Sequence, residues 1–212
     1  MARWEGNARG RLERAALDLF TEQGYDRTTV AQIARRANLT ERSFYRWFAD
    51  KREVLFAGDE LAEHLVAAIE AVPAGTAALP TLLAALRTAP EVYRPREFLR
   101  ERAAVIAANR PLRERELVKL AALSEAVTAA LRHRGADPQT ARLATDVGLA
   151  VARLATERWV ADDRADFPQV LADSAADLLA VTAALPDAAP PATEASSRPG
   201  RRPARTAARS PG

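Results

Sequence analysis

Between Thr28 and Lys51 the chain gathers side chains that hydrogen-bond or ion-pair but form no set able to make or break a covalent bond. They are Thr29, Gln32, Arg35, Arg36, Thr40, Glu41, Arg42, Ser43, Tyr45, Arg46, Trp47 and Lys51. Hydroxyls, amides and an ammonium suit phosphate oxygens, which position a duplex, whereas arginine can pair with guanine through two bonds in the major groove. On that chemistry Thr29, Thr40, Tyr45 and Lys51 are assigned to phosphates, and Arg42, Ser43 and Arg46 to base edges. Gln32, Arg35 and Arg36 are placed to reach the flanking backbone or a base, and Glu41 favours a helix dipole. Any one of these side chains would also be at home on a solvated surface, so the inference rests on how they are held.

Two short helices joined by a tight turn would hold them. Val30, Ile33, Ala34 and Ala37 have the i, i+3, i+4, i+7 spacing of one buried face. Thr29 and Gln32 make a capping-box pattern. Asn38 is one of the few non-glycine residues that tolerate positive φ, and so a left-handed stop is expected there. Thr40 then caps a second helix in which Phe44, Trp47 and Phe48 face inward while Glu41, Arg42, Tyr45 and Arg46 face out. A preceding helix from Arg11 to Gln23 carries Leu12, Ala15, Ala16 and Phe20 and stops at Gly24, after which Tyr25 packs into the small domain's core. Residues 2–10 read as a flexible arm whose Arg3, Arg9 and Arg11 either touch phosphate or simply fray in solvent.

Over residues 9–65 the chain resembles the TetR-type repressors, bacterial one-component regulators with an N-terminal helix-turn-helix. The resemblance lies in Ala16, Phe20, Gly24-Tyr25, Thr28-Thr29-Val30, Ile33-Ala34, Ala37, Phe44-Tyr45, Phe48, Asp50-Lys51 and Leu55. Asn38 stands where the family usually has glycine, and Trp47 where His or Tyr is commoner. The resemblance implies an all-α fold of about nine helices. It would comprise a three-helix DNA-binding domain over 9–65 with its motif at 29–48, and a helical effector-binding and dimerisation domain over 66–185. It further implies a homodimer reading palindromic double-stranded DNA, released by a small-molecule effector.

Asp50 with Glu53 repeats the capping-box pattern, and Val54, Leu55, Leu61, Leu65, Val66 and Ile69 continue a helical period to Val72-Pro73. One helix of about 22 residues, roughly 33 Å long, is therefore expected to link the reader to the body. Lys51 sits in its first turn, toward the passing phosphate backbone. Helices are expected near 79–88, 95–108, 111–134, 138–160 and 167–185. Pro95, Pro111 and Pro138 suit first-turn positions, Gly135 is a stop and Asp137 a cap. Sustained alternation of β-branched residues is missing, so no sheet is expected.

Alanine-rich stripes on the last two helices, Leu143, Val147, Val151 and Leu154 with Leu171, Ala175, Leu178 and Leu179, would give a four-helix interface with a symmetry copy, or else an intrachain core. By resemblance the first is expected. The resemblance also implies an effector pocket between the body helices, for which the candidates are Phe98, Arg102, Ile106, Leu120, Leu123, Val127, Arg153 and Trp159, each of which also suits core packing. The run Arg100-Glu101-Arg102 through Asn109-Arg110-Pro111-Leu112-Arg113-Glu114-Arg115 is similar to a TetR subgroup thought to bind acyl-coenzyme-A-like ligands.

The formal charge of +3 is unevenly spread: residues 1–57 carry a net +3, residues 58–185 a net −3 and the last 27 a net +3. A basic reader on an acidic body agrees with phosphate binding through counterion release. There is no cysteine, and two histidines, His64 and His133, make no metal set; Asp162, Asp163 and Asp166 read as a loop and helix cap. No catalytic site, metal or cofactor is expected. Uncharged apolar runs reach about ten residues and are broken by Pro80, short of the ~20 that a membrane span needs. Met1-Ala2-Arg3-Trp4-Glu5-Gly6 has no apolar signal core, so a cytoplasmic protein is expected. Residues 186–212, rich in Pro, Ala, Ser and Arg, are expected to be disordered. A reading of a different class stays open: a helical ligand-binding or scaffold protein whose helix-turn-helix is not used for specific recognition.

Overall fold

The computed structural model describes residues 8–56 and 58–183. Among them are nine α-helices: α1 Ala8–Gln23, α2 Val30–Arg36, α3 Glu41–Trp47, α4 Glu60–Ala71, α5 Ala78–Leu86, α6 Arg96–Ala108, α7 Arg110–His133, α8 Pro138–Ala161 and α9 Phe167–Ala183. Single 3-10 turns stand at Glu53–Leu55 and Ala89–Glu91, and the described residues contain no strand. The expected disordered segment 186–212 lies outside the described residues.

Local chemistry sets the boundaries. α1 ends because Gly24 takes φ +88°, and its amide returns to the Phe20 carbonyl. The α1 start is Ala8 rather than Arg11, so Arg9 and Arg11 lie on a helix and not on a flexible arm. Arg9 there bridges Glu13 four residues on and Glu60. α7 ends in a Schellman motif: Gly135 sits at φ +96°, with Gly135 N–H to Arg132 O and Ala136 N–H to Leu131 O. Asp137 caps α8 through the amides of Gln139 and Thr140, followed at once by Pro138 in the first turn. At α6 the proline is one place earlier than expected, Pro95 being the N-cap.

The long linking helix is broken. Asp50 accepts from the Arg52 and Glu53 amides, closing a local turn, and helix resumes only at Glu60. Glu53 does not return to complete a capping box; its carboxylate is held by Arg115 and Lys119 on α7. The apolar period misleads across this break because both segments bury the same kind of residue, though in different cores.

Two cores result. The first holds Leu12, Ala16 and Phe20 of α1, Ile33, Phe44 and Phe48 of the two short helices, Val54 and Leu55, and also Val105, Ile106 and Leu112 from the α6–α7 corner. The second holds Leu65 and Ile69 of α4, Leu82 and Leu86 of α5, Val127 and Leu131 of α7, Val151 and Trp159 of α8, and Phe167 and Leu171 of α9. Each fully buried Leu, Ile or Phe contributes about 1.5–3 kcal/mol relative to exposure. The first core therefore fixes the small helices rigidly on the body, and α6 and α7 serve both cores.

Candidate nucleic-acid interface

α2 and α3 are each only seven residues long, too short to persist alone, so caps and burial must define them. Thr29 has an extended backbone and its Oγ1 accepts the Gln32 amide at 3.2 Å, while Gln32 Oε1 accepts the Thr29 amide at 2.8 Å. This is the expected reciprocal box. Gln23 adds a bond that no spacing rule announced: its Nε2 reaches Gln32 Oε1 at 3.2 Å and Thr28 Oγ1 at 3.1 Å, tying α1 to the start of α2.

Asn38 takes φ 56°, with Leu39 N–H to Ala34 O at 2.8 Å and Asn38 N–H to Arg35 O at 3.0 Å, the paired bonds of a Schellman stop. Thr40 Oγ1 then accepts the Ser43 amide at 3.1 Å and lies 3.0 Å from Ser43 Oγ. Phe44 at the centre of α3 is completely buried and Phe48 nearly so, and their rings pack 5.3 Å apart. These contacts seat α3 and turn its other face outward.

That outward face carries Glu41, Arg42, Tyr45, Arg46 and Trp47. Tyr45 is 57% exposed, so its phenol is presented and not packed. Trp47 departs from expectation: it is 40% exposed and lies on the surface, with the Arg46 guanidinium 5.5 Å over its ring. A seven-residue helix ends at that point, and the extended residue Phe48 swings back to fill the inward position in its place. Thr29 and Thr40 are exposed beside this face, and Gln32 and Ser43 are half-buried by their capping bonds.

Two of the expected DNA ligands are engaged with the protein itself. Arg36 makes a two-pronged pair with Glu22 of α1, Nη1 to Oε1 at 2.9 Å and Nη2 to Oε2 at 2.6 Å, and this pair holds the Glu22 carboxyl below its usual range. Arg35, its neighbour, is exposed. Lys51 does not point out toward a passing backbone; its Nζ donates to the carbonyls of Tyr25 at 2.8 Å and Thr28 at 2.9 Å.

The reader is anchored to the body by charged bonds that sequence spacing could not announce. Glu13, buried in α1, receives Arg94 Nε at 2.8 Å and Nη2 at 3.0 Å. Arg102 of α6 donates to the Leu55 carbonyl at 2.7 Å, lies 4.9 Å over the Phe56 ring and pairs with Glu116. Arg102 is thus a strut between reader and body, and burial pushes its pKa down.

The other expected pocket residues are not brought together. Phe98 and Ile106 pack in the first core, Leu123, Val127 and Trp159 in the second, and Leu120 and Arg153 are exposed. The expected pocket residues are thus divided between the two cores and the surface. Two shallow clefts, of about 160 and 190 Å³, are lined instead by Arg52, Glu53 and Arg115 and by Arg14, Glu22 and Glu101. In the arginine run, Arg100 binds Val160 O and Asp163, Arg110 binds Glu114, and Arg113 binds Ala107 O.

The expected interface residues of α8 and α9 also separate. Val151 of α8 and Leu171 of α9 are buried inside the chain, in the second core. Leu143 and Leu179 are 63% and 69% exposed, and Val147, Leu154, Ala175 and Leu178 are half-buried at the edge of that outward face. Asp162, Asp163 and Asp166 serve a loop turn, the Arg100 pair and the Gln169 amide in turn. No helix among the described residues is long and apolar enough to cross a membrane.

A family model described as bacterial regulatory proteins, tetR family, matches residues 13–57. The HTH-type transcriptional regulator TcmR of Streptomyces glaucescens is 42% identical over 80 residues, 37% of this chain and 35% of TcmR. The matched stretch therefore spans about a third of that relative's length. Among solved structures, NalD, the secondary repressor of the MexAB-OprM multidrug efflux pump in Pseudomonas aeruginosa, superposes with a TM-score of 0.51 and 21% identity, covering 83% of this chain and 95% of NalD. SmeT of Stenotrophomonas maltophilia in complex with triclosan gives 0.52 and 22%, covering 80% and 90%. At these identities the structural likeness speaks for the fold.

Proposed function

We propose that this chain, which carries in residues 13–57 the N-terminal domain of the tetR family of bacterial regulatory proteins, is a sequence-specific DNA-binding transcriptional regulator acting as a homodimeric repressor. The observation that carries the reading is α3 itself: a helix seated by Phe44 and Phe48 with Arg42, Tyr45, Arg46 and Trp47 all turned to solvent. Such a helix fits the major groove, and a two-fold pair of them reads half-sites about one helical turn, roughly 34 Å, apart. Thr29, Thr40 and Tyr45 meet phosphates, Arg42, Ser43 and Arg46 meet base edges, and Gln32, Glu41 and Trp47 border them. The reader occupies residues 9–65 and the body, 66–185, carries effector binding and dimerisation.

In this reading the dimer forms on the outward face of α8 and α9 around Leu143 and Leu179, which are exposed apolar side chains on adjacent helices. A small-molecule effector acts by favouring a dimer geometry that no longer fits the operator, with a coupling of about 1–3 kcal/mol. SmeT, of like fold, is described in complex with triclosan; acyl-coenzyme-A-like thioesters are the class suggested by the arginine run at 100–115. Such a ligand has to displace the acceptors those arginines hold. The protein works in the cytoplasm, by binding and not by catalysis.

Fluorescence anisotropy of the purified chain against duplex DNA from upstream of its own gene, beside a scrambled duplex, tests the reading. Saturable binding to the first alone, weakened at least tenfold by Tyr45→Ala, is expected. If both duplexes bind equally and Tyr45→Ala changes nothing, the chain is the ligand-binding or scaffold protein of the alternative.

A further inference from the structure

The Lys51 ammonium is bound into the turn between α1 and α2. Its Nζ donates to Tyr25 O at 2.8 Å and Thr28 O at 2.9 Å, and it lies 4.1 Å from the centre of the Tyr25 ring. Two of its three N–H bonds are thereby directed inward, beneath an aromatic face that is itself buried. The Thr28 carbonyl belongs to the same rigid peptide plane as the Thr29 amide. That amide donates to Gln32 Oε1, the bond that starts α2. A cation on the oxygen of this peptide fixes its plane and strengthens its N–H as a donor. Tyr25 O also accepts the Thr28 amide, so the same ammonium closes both ends of the turn.

We propose that Lys51 is a positioning residue for DNA recognition: it neutralises no phosphate, but locks the Tyr25–Thr28 turn and so fixes the Thr28–Thr29 peptide that presents Thr29 and α2 to the duplex. This rests on the DNA-binding reading only for the consequence at the duplex; the locking of the turn stands apart from it. The two roles differ in what salt reports. Loss of a phosphate contact lowers the slope of log affinity against log salt by about 0.9 on B-DNA, whereas a displaced helix weakens binding with the slope kept.

The test compares wild type with Lys51→Met on a duplex enriched by the wild-type protein from a random library, in a salt series, together with amide exchange of the free proteins. Expected are a tenfold or greater loss of affinity at every salt concentration, an unchanged slope, and faster exchange at Thr29 and Gln32. A slope reduced by about 0.9 overturns the proposal, and so does unchanged protection at those amides. Lys51→Arg keeps the charge should Lys51→Met not fold: weakened binding with an unchanged salt slope and faster exchange at Thr29 and Gln32 supports the proposal, while wild-type affinity with those amides exchanging faster assigns a phosphate contact and overturns it. If the wild type enriches no duplex, the DNA-binding reading fails while the exchange comparison still decides whether Lys51 locks the turn.

Discussion

Glu13 is the residue on which the joint between reader and body turns. A buried carboxylate is costly unless it is paired and hydrogen-bonded, and Glu13 meets that cost with Arg9 on its own helix and Arg94 on the approach to α6. Arg94→Leu removes two charge-assisted bonds and should lower stability by about 1.5–3 kcal/mol, read from urea unfolding. The double variant Glu13→Leu with Arg94→Leu should lose less than Arg94→Leu alone, because no buried charge is then left short of partners. A double variant as unstable as the sum of both singles would contradict this. At this scale the sequence was legible only where partners are near in the chain. Thr29 with Gln32, Thr40 with Ser43 and the positive φ of Asn38 follow from short-range backbone chemistry. Arg94 and Glu13 are 81 residues apart, and Lys51 differs from a surface lysine only through carbonyls 23 and 26 residues earlier. No local pattern encodes such pairs.

Among the elements, α8 shows how a helix is held both at its end and at its middle. Asp137 accepts two amides at the N-terminus, and those bonds, with the Thr140 side chain first, hold its carboxyl below the ordinary value. A depressed carboxyl stabilises the folded state above the unfolded pKa of about 3.9 and loses that contribution as pH falls through the lowered value. Asp137→Ala should therefore melt below wild type at pH 7, with the gap narrowing as pH falls below the unfolded value of about 3.9 in paired thermal scans. At mid-helix, Gly148 lets α5 approach: a Cβ there would overlap Leu82 Cδ2 and stand 3.0 Å from its Cγ, and Leu82 is fully buried. Overpacking costs about 1–3 kcal/mol, and the helix preference of alanine over glycine returns about 1. Gly148→Ala should accordingly cost up to ~2 kcal/mol in chemical denaturation; a stabilised variant would contradict the close crossing. Helix existence, the caps at Thr29, Thr40 and Asp137 and the stops at Gly24, Asn38 and Gly135 were legible because periodicity and capping act within one element. The break before α4 was not. A Cβ on Gly58 there would stand 3.1 Å from Arg9 Nη2, whose guanidinium reaches Glu60.

Over the whole molecule, two cores share α6 and α7. Val105, Ile106 and Leu112 belong to the reader's core while Val127 and Leu131, farther along, belong to the body's. A shift of α7 in the second core is therefore transmitted to the first through packed side chains, and through Arg115 and Lys119 on Glu53. This is the physical link by which an effector in the body would move α3. The proposed dimer face is marked by Leu143 of α8 and Leu179 of α9, both exposed. Leu143→Glu with Leu179→Glu should convert a dimer to a monomer in sedimentation velocity and, in the same samples, reduce operator affinity at least tenfold; a variant that stays dimeric moves the interface elsewhere. Interior and outward positions on α8 and α9 could not be separated from the sequence, since Val151 and Leu143 are both apolar and helix period alone does not say which stripe meets the same chain.

The most direct test of the central claim is selection of duplexes from a random DNA library by the purified full-length protein, with Arg42→Ala/Arg46→Ala selected in parallel. The account predicts that the wild type enriches one inverted repeat with half-sites about one helical turn apart, and that the double variant loses preference at particular bases in each half. A folded wild-type dimer that enriches no sequence after repeated rounds would contradict it.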